Sequence, residues 1–478
     1  MKKIWITLIS LLFITTLTVF TQTWLPSFFS DNMVMQQNAE VSVWGKDDPG
    51  TNIQISASWG DEAEVTSGRD GLWKTKISTP VAGGPYSVTI KGSEEIVLND
   101  VLTGEVWLCS GQSNMEMPVK GYGNQPITGS NEAILHSGNP VLRVFQIEKD
   151  PSAVLLDDVK GKWHAASPAT TPDFSATAYF FGELLQEMLG VPVGLIITSW
   201  GGSKAEAWMD RESLESFPAI TIPVEVPEKG PNQAGTILYN GMLHPFVDYH
   251  IKGVIWYQGE SNRNKASQYA NLFPAMIESW RALWNLGNFP FYFVQISPYG
   301  YGSSEETKHA TALLREAQLH TMQHVENTGM VVTADIGDCE CIHPADKTTV
   351  GRRLAYWALA ETYGFEGIAY RSPVYSSMEP TEDGKIKVSF DHAPNGLTSF
   401  KKPLAGFEIA GDDSVFYPAR AVINRDRTVS VWNDDVSKPL ALRYAFGDCV
   451  DGTLFNIAGL PVSPFRTDDW QDLLINRD

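Results

Sequence analysis

A serine lies in the segment GQSNM at residues 111–115, directly after an apolar run that predicts a buried strand. A hydroxyl on a tight turn at the end of a strand is exposed to a cleft, where a nucleophile must stand. By position alone, a serine after a strand is more often a turn or N-cap residue. Ser113 is therefore a candidate nucleophile that needs support from other segments.

Two glycines follow a second apolar run, in the segment SWGGS at residues 199–203. Glycine lets a backbone amide approach a ligand closely and tolerates positive φ, as the donors of an oxyanion hole require. An ordinary tight turn explains the pair equally well. Gly201 and Gly202 are candidate oxyanion donors on these terms.

Amide side chains follow a third run, in the segment WYQGESN at residues 256–262. Gln258 and Asn262 can donate to a developing negative oxygen without titrating. Glu260, between them, either orients the loop or contacts substrate. Such a polar cluster is costly to bury unless its hydrogen bonds are satisfied, which favours a site over a core.

A histidine among carboxylates follows the last of these runs, in DIGDCECIHP at residues 335–344. A neighbouring carboxylate would fix the tautomer of His343 and stabilise its protonated form during proton transfer from Ser113. A solvated or core histidine is the commoner case. The two residues are 230 positions apart, so only the fold can bring them together.

Taken together, four loops after strands supply a serine, a glycine-rich backbone donor, an amide donor and a histidine among acids. This set is what acyl transfer through a serine ester requires. The sequence shows no Walker A loop, dinucleotide-binding GxGxxG, HExxH, CxxC pair or GxSxG, so cofactor and zinc-protease chemistry lose support.

The elements that position these loops alternate between strand and helix. The strands are mostly unbroken apolar runs, as expected where helices cover both faces of a sheet. Helices are predicted at residues 176–189, 268–284, 311–323 and 347–363, and Pro274 in the second predicts a kink or a later start. Strands are predicted at residues 105–109, 141–147, 193–198, 252–257, 291–296 and 330–334. The alternation predicts an α/β domain with a mostly parallel sheet, whose reactive groups lie at the carboxyl ends of the strands.

Short alternating runs separated by turns flank this domain on both sides and predict two β domains, the first a sandwich. The predicted division is a signal peptide at 1–21, an N-terminal β domain at 22–102, the α/β domain at 103–365 and a C-terminal β domain at 366–478. The signal peptide is indicated by Lys2 and Lys3, a mostly apolar stretch to Phe20 and small residues before Gln22. An uncleaved anchor is the alternative.

The chain is acidic, with a formal charge of −20 over 478 residues, which argues against a nucleic-acid partner. Hydrophobic residues make up 43% of it, enough for large cores. The four cysteines match no zinc spacing, because Cys339 and Cys341 are separated by one residue, so no structural metal is expected. Cys109 is expected to pack as a small hydrophobe, and whether Cys339 forms a disulfide is open.

The sequence resembles the SGNH (GDSL-like) hydrolases, and more closely the sialate O-acetylesterase family with its acetylxylan-esterase relatives. The resemblance extends over nearly the whole chain after the predicted signal peptide. It is carried by LPSFFSDNMVMQQ from Leu25, GQSNMEMPV from Gly111, WGGS from Trp200, WYQGESN from Trp256, LREAQ from Leu314, and IHPADK with VGRRLA between Ile342 and Ala355. It implies an SGNH-type, flavodoxin-like parallel sheet flanked by helices, between N-terminal and C-terminal β-sandwich-like domains.

The resemblance also implies roles for individual residues. Ser113 would be the nucleophile and His343 the general base. The oxyanion hole would be formed by the amides of Ser113 and of Gly201 or Gly202 and by the side chain of Gln258, with Asn262 a second candidate. The candidates for contacts with substrate are Gln112, Asn114 and Glu260.

The acid of the triad is where the sequence departs from the family pattern. Many SGNH enzymes carry Asp three residues before the histidine, where this chain has Glu340, and relatives often carry Asp two before it, where this chain has Cys341. Glu340 is the predicted acid and Asp338 the next candidate. A dyad held by a backbone carbonyl is a further possibility.

These observations predict an exported, periplasmic or extracellular serine esterase that removes O-acetyl groups from sugars without metal or organic cofactor. A sialate O-acetylesterase is the first expectation and an acetylxylan or other hemicellulose deacetylase the second. A carbohydrate-binding protein that has lost activity is the alternative from another class. The partner is an acetylated carbohydrate, no stable membrane insertion is expected after signal cleavage, and the oligomeric state is not predicted. Trp107, Trp200, Trp208 and Trp256 could stack on sugars, although Trp107 and Trp256 fit a core better.

Overall fold

A computed structural model describes residues 22–302, 304 and 307–470. The signal-peptide prediction falls on residues 1–21, outside this part of the chain. Seven strands make up the N-terminal portion: β1 (Val34–Gln36), β2 (Glu40–Lys46), β3 (Asn52–Ala57), β4 (Glu62–Thr66), β5 (Leu72–Ser78), β6 (Gly83–Lys91) and β7 (Glu95–Gly111).

Strands and helices alternate through the middle of the chain. Short 3₁₀ segments occur in several loops, and a π-helical turn, Ala358–Thr362, follows the last helix. The elements are α1 (Ser113–Glu116), α2 (Ser130–Leu135), β8 (Asn139–Ile147), β9 (Gly161–Ala166), α3 (Ala176–Leu189), β10 (Val193–Ser199), α4 (Arg211–Leu214), β11 (Gly253–Tyr257), α5 (Ala266–Trp284), β12 (Phe291–Val294), α6 (Ala310–His324), β13 (Thr328–Val331) and α7 (Lys347–Trp357).

The central sheet has the strand order β13-β12-β11-β7-β10-β8-β9. All neighbours are parallel except β8 and β9, which run antiparallel at one edge. Strand β7 is in the middle, paired with β10 on one side and β11 on the other. Because parallel strands end at the same edge, the loops after β7, β10 and β11 are neighbours.

Helices cover both faces of this sheet, since side chains of β7 alternate between two cores. Leu108 lies in a core with α5 and α6, whereas Trp107 and Cys109 lie in one with α3 and α7. Helix α7 crosses α3 so closely that a Cβ on Gly351 would lie 2.7 Å from Cβ of Phe180. Burial on both faces explains why strands β10, β11 and β12 are unbroken apolar runs.

The C-terminal portion contains two four-stranded antiparallel sheets, β14-β15-β20-β19 and β18-β17-β21-β23, and a two-stranded pair, β16-β22. Both larger sheets contribute to one hydrophobic core. The strands are β14 (Val374–Pro380), β15 (Ile386–Asp391), β16 (Leu397–Thr398), β17 (Phe407–Ala410), β18 (Tyr417–Pro418), β19 (Arg420–Ile423), β20 (Val429–Trp432), β21 (Ala441–Tyr444), β22 (Phe455–Asn456) and β23 (Phe465–Arg466).

The architecture is therefore mixed α/β, with one large mixed sheet of eleven strands and several small sheets. Strands β1, β3, β4 and β6 are continuous with the central sheet, because β7 pairs antiparallel with β6 along its first half and parallel with β10 and β11 along its second. Strands β2 and β5 form a separate antiparallel pair. The predicted boundary between residues 102 and 103 falls inside β7. Asn99 and Asp100 interrupt the apolar pattern there, and the pairing of β7 with β6 shifts register at them, but the strand continues.

Other differences from the sequence expectations are local. Pro274 lies inside α5, which begins at Ala266, so the helix starts earlier than predicted. The α-helical part of α7 ends at Trp357 rather than at residue 363. Strand β9, at the edge of the central sheet, is not among the predicted strands. Within the described residues, no helix is long and apolar enough to cross a bilayer.

Candidate active site

Ser113 is the first residue of α1, immediately beyond the carboxyl end of the central strand β7. It is partly exposed, whereas its neighbours Gln112 and Asn114 are buried. The turn depends on Gly111, which has φ +142°, and a Cβ there would lie 2.2 Å from the carbonyl oxygen of Tyr257. Any larger residue would push β7 away from β11.

Gln112 joins the serine turn to the loop after β11. Its backbone N–H donates to the carbonyl of Tyr257 at 2.9 Å. Its side-chain oxygen accepts from the backbone N–H groups of Gly259 and Ser261, each at 3.3 Å. Gln112 is 3% exposed, so its side chain supports the turn and offers little surface to a substrate.

The glycine pair lies beside the serine, as the sequence predicts. A Cβ on Gly201 would be 3.4 Å from Cβ of Ser113. The N–H of Gly201 donates to the carboxylate of Glu116, a residue of α1. Gly202 has φ +72°, a left-handed conformation that favours glycine. A negatively charged oxygen is therefore already bound to a backbone donor next to Ser113.

The two amide side chains after β11 make hydrogen bonds within the protein. The amide of Gln258 donates to the carbonyl of Ser203 at 3.1 Å and to Oδ1 of Asn262 at 2.7 Å. Asn262 also accepts from the N–H of Ala205 and donates to Glu206 at 2.8 Å. Both side chains are buried and fix the loop after β11 to the loop after β10. Their oxyanion roles stay predictions.

The loop that carries His343 comes from β13, at the edge of the sheet, and crosses β12 and β11 to reach the serine turn. Nδ2 of Asn114 donates to the carbonyl of Ile342 at 3.1 Å. Nζ of Lys347 donates to Oδ1 of Asn114 at 2.9 Å and to the carbonyl of Pro344 at 2.6 Å. The residues adjacent to Ser113 and His343 are thus in direct contact.

Asn114 links two buried ionisable groups. Its Nδ2 donates to Oε1 of Glu260 at 2.7 Å while its Oδ1 accepts from Lys347. Burial raises the pKa of the Glu260 carboxyl and lowers the pKa of the Lys347 ammonium to about 7. Asn114 is 0% exposed and Glu260 is 7% exposed, so both predicted substrate contacts lie beneath the site surface.

Asn114→Ala is expected to lower the free energy of unfolding by about 2 to 3 kcal/mol, because Glu260, Ile342 and Lys347 would each keep a buried polar atom without its partner. Urea denaturation followed by Trp fluorescence measures the change. The control is Asn271→Ala, at an exposed position on α5, where the expected change is within about 0.5 kcal/mol. Equal urea midpoints for the two variants would show that the hydrogen bonds of Asn114 do not stabilise the fold.

The imidazole of His343 has a neutral partner in this structure. Its Nδ1 is 2.6 Å from Oε1 of Gln125. The ring also contacts that of Tyr122 edge-on, with centroids 5.4 Å apart. Burial and the positive charge of Lys347 lower the pKa of His343 to about 4. At neutral pH the imidazole is therefore uncharged and able to accept a proton.

The two carboxylates predicted as the acid, Asp338 and Glu340, are exposed. Oδ1 of Asp338 accepts from the backbone N–H of Glu340 at 2.8 Å. Cys339, between them, forms a disulfide with Cys449 of the C-terminal portion. Asp335 forms a two-pronged ion pair with Arg353 of α7, at 2.8 and 2.7 Å. The role of Glu340 or Asp338 as the acid stays a prediction.

Of the four candidate tryptophans, three belong to the cores. Trp107, Trp208 and Trp256 are 0% exposed. Trp200 is partly exposed, and Nζ of Lys149 lies 5.4 Å from its ring centroid. Lys149 also pairs with Glu116 at 2.6 Å. Trp200 is thus the member of this set that could present an aromatic face to a sugar beside Ser113.

Sequence reasoning missed Glu116, Gln125, Lys347 and the Cys339–Cys449 pairing. Glu116 and Lys347 lie within the quoted motifs, but only contacts across the fold reveal their partners. Gln125 lies in a polar turn that carries no strand or helix pattern. Among the described residues, no group of three or more His, Cys, Asp or Glu side chains is arranged to hold a metal ion.

Comparisons with known proteins place the chain in a family. The family described as "Carbohydrate esterase, sialic acid-specific acetylesterase" matches residues 103–360. A sialate O-acetylesterase of Mus musculus is 31% identical over 432 residues, covering 76% of this chain and 78% of the mouse protein. The Homo sapiens sialate O-acetylesterase is 32% identical over 391 residues, covering 74% and 73%.

A solved structure has the same fold as this chain. The crystal structure of a carbohydrate acetylesterase from Xanthomonas citri has a TM-score of 0.86 and 37% sequence identity, covering 94% of this chain and all of that one. The family match includes the serine turn, the glycine pair, the amide loop and the His343 loop. The prediction of an ester hydrolase is confirmed, and the chain belongs to the sialic acid-specific acetylesterase family of carbohydrate esterases.

Proposed function

We propose that this protein is an exported sialate O-acetylesterase that uses Ser113 as nucleophile and His343 as general base. The observation that carries the proposal is the position of Ser113 at the end of the central strand, beside the Gly201 amide and against the His343 loop. The family match and the mouse and human sialate O-acetylesterases support the substrate class.

In the proposed reaction, Oγ of Ser113 attacks the acetyl carbonyl carbon while Nε2 of His343 takes the hydroxyl proton. The bond from that carbon to the sugar oxygen breaks, the sugar oxygen receives the proton, and the acetyl group stays on Ser113. Water then attacks the acetyl-serine, giving its proton to His343. Acetate leaves as the proton returns to Oγ. Backbone amides of Ser113 and of Gly201 or Gly202 would stabilise the oxyanion.

A flavodoxin-like, SGNH-type arrangement of the central sheet is part of this proposal. Strands β7, β10, β11, β12 and β13, numbered one to five in chain order, lie in the order 2-1-3-4-5, with β8 and β9 added outside β10. This is the flavodoxin-like order, in which ligands bind where the direction of strand addition reverses. Ser113 follows the strand at that position.

Export is supported by the basic and apolar beginning of the sequence and by the disulfide between Cys339 and Cys449. Disulfides persist in the periplasm and outside the cell and are rare in the cytosol.

A sialoside carries a carboxylate, so a positive group near Ser113 would favour it despite the chain's acidic balance. Lys149 is a positive group in this position: it pairs with Glu116 at 2.6 Å, and Glu116 also accepts from the Gly201 N–H beside Ser113. The first alternative, deacetylation of xylan or another hemicellulose, involves a substrate without this carboxylate and gains nothing from Lys149.

The test is acetate release from O-acetylated sialosides and from acetylated xylan, measured in parallel. We expect kcat/KM to favour the sialoside, and Lys149→Met to lower the sialoside value about tenfold with the xylan value unchanged. Lys120→Met, which removes an exposed lysine paired with Asp173, is the matched control. Release from xylan alone would select the alternative. Glycan binding without acetate release from any substrate would reject an enzyme.

A further inference from the structure

We propose that Gln125 is the positioning residue for His343, with its neutral amide in the place where a serine triad usually has a carboxylate. This inference rests on the proposed function and adds to it. Oε1 of Gln125 lies 2.6 Å from Nδ1 of His343. An amide oxygen can only accept, so Nδ1 carries the proton and Nε2 is left as the acceptor that a general base requires.

The turn that carries Gln125 is built to hold it. The backbones of Tyr122 and Gln125 exchange two hydrogen bonds, at 3.0 and 3.1 Å. Asn124 has φ 61° and Gly121 has φ +78°, and a Cβ on Gly121 would lie 2.6 Å from the carbonyl oxygen of Gln125. The amide is therefore presented from an ordered turn rather than from a freely rotating surface segment.

This turn is also fixed to the loop that it serves. The N–H of Thr128 donates to the carbonyl of Ala345 at 2.9 Å. The ring of Tyr122 packs against the ring of His343, 5.4 Å between centroids. Contacts on both sides of Gln125 thus join its turn to the His343 loop. The hydrogen bond between Oε1 of Gln125 and Nδ1 of His343 lies between these contacts.

The charged groups around His343 decide how its pKa responds to a neutral partner at Nδ1. Lys347 of α7 is the positive group acting on the ring. The Tyr122 ring and the Cys341 thiol, whose Sγ is 3.2 Å from the carbonyl oxygen of His343, are further neighbours. Glu116 of α1 acts on Tyr122, and Glu260 is reached only through Asn114. Asp338 and Glu340 lie exposed on the histidine's own loop.

With no carboxylate at Nδ1, the imidazolium is poorly stabilised, and burial with Lys347 lowers the pKa of His343 to about 4. An enzyme that needs neutral His343 gains activity as pH rises through that pKa. The acidic limb of the kcat/KM profile is therefore expected near pH 4, well below the limb near pH 6.5 expected for an unperturbed histidine.

The experiment compares Gln125→Glu and Gln125→Met by pH profile on p-nitrophenyl acetate. Gln125→Glu, nearly isosteric, is expected to move the acidic limb up by about 1 to 3 pH units, because a carboxylate favours the imidazolium. Gln125→Met, which removes the acceptor, is expected to lower kcat/KM about 10²-fold at pH 7. The matched control is Gln54→Glu, at an exposed position on β3, with no change in limb or rate.

Glu340→Gln and Asp338→Asn complete the design. Each is expected to stay within about threefold of the parent, since a carboxylate that does not support the base contributes little. An unchanged profile in Gln125→Glu, or full activity in Gln125→Met together with loss in either acid variant, overturns the assignment to Gln125 and selects the carboxylate.

A second readout separates this inference from the proposed function. ¹⁵N NMR of labelled histidines distinguishes the two neutral tautomers, and His343→Ala assigns the signal. We expect the Nδ1–H form in the parent and a mixture in Gln125→Met. This result holds whichever ester is the substrate, whereas a missing Nδ1–H form in the parent rejects the positioning role even if acetate release is confirmed.

Discussion

Ser113→Ala is expected to lower kcat for acetyl ester hydrolysis by on the order of 10⁴- to 10⁶-fold. In the proposed mechanism the acetyl group passes to Oγ, and none of the neighbouring groups can replace it: Gln112 and Asn114 are buried and hydrogen-bonded, and the Gly201 amide is only a donor. Hydrolysis of p-nitrophenyl acetate and acetate release from an O-acetylated sialoside measure the loss.

Ser110→Ala is the matched control for this change. Ser110 lies three residues earlier, on β7, is 0% exposed, and its hydroxyl has no hydrogen-bond partner within the described structure. Its loss should leave kcat within about twofold and stability within about 1 kcal/mol.

Mass spectrometry adds an independent readout for the role of Ser113. The parent, quenched during turnover, should carry an acetyl group on Ser113, and the alanine variant should carry none. Turnover retained by a folded Ser113→Ala protein would remove the serine mechanism and with it the proposed role of His343.

The central sheet was predictable because its strands are buried on both faces. An apolar run such as that of β10 or β11 indicates a strand wherever helices cover the sheet, and the period of 3.6 residues identifies the helices. Where only one face of a strand is buried, or where a strand continues through polar residues, the apolar run no longer marks the ends of the strand. Strand β7 shows this, because it continues through the polar residues Asn99 and Asp100 and across the predicted boundary between residues 102 and 103.

The site was predictable in its parts and less so in its connections. The sequence places Ser113 and Gly201 in loops after strands, and the observed neighbours β7 and β10 bring those loops together. No local pattern places Gln125 at His343, because the contact joins positions 218 apart through a turn. Lys347, at the start of a helix, would be expected in solvent, and its burial follows from the return of the His343 loop across the sheet.

The disulfide contributes the largest expected effect on stability. It joins Cys339, in the loop that leads to His343, to Cys449 of the C-terminal portion, and closes 110 residues of chain. The same contact region includes the N–H of Gly452 donating to the carbonyl of Ala334 at 2.8 Å, and Arg315 donating to the carbonyl of Gly447 at 2.8 Å. The bond thus ties the loop that carries His343 to the C-terminal β strands.

The double variant Cys339→Ser/Cys449→Ser is therefore expected to lose about 3 to 5 kcal/mol of unfolding free energy, since opening so long a loop frees many conformations of the unfolded chain. Cys341→Ser is the matched control: it changes a free thiol in the same loop and should cost less than about 1 kcal/mol. Urea denaturation measures both.

Because Lys347 and Asn114 still hold the loop against the serine turn, kcat of the folded double variant should fall less than about tenfold. Thiol titration of the denatured, unreduced parent should find two free cysteines, Cys109 and Cys341. Four free thiols, or a double variant as stable as the parent, would show that the loop is held by its hydrogen bonds alone.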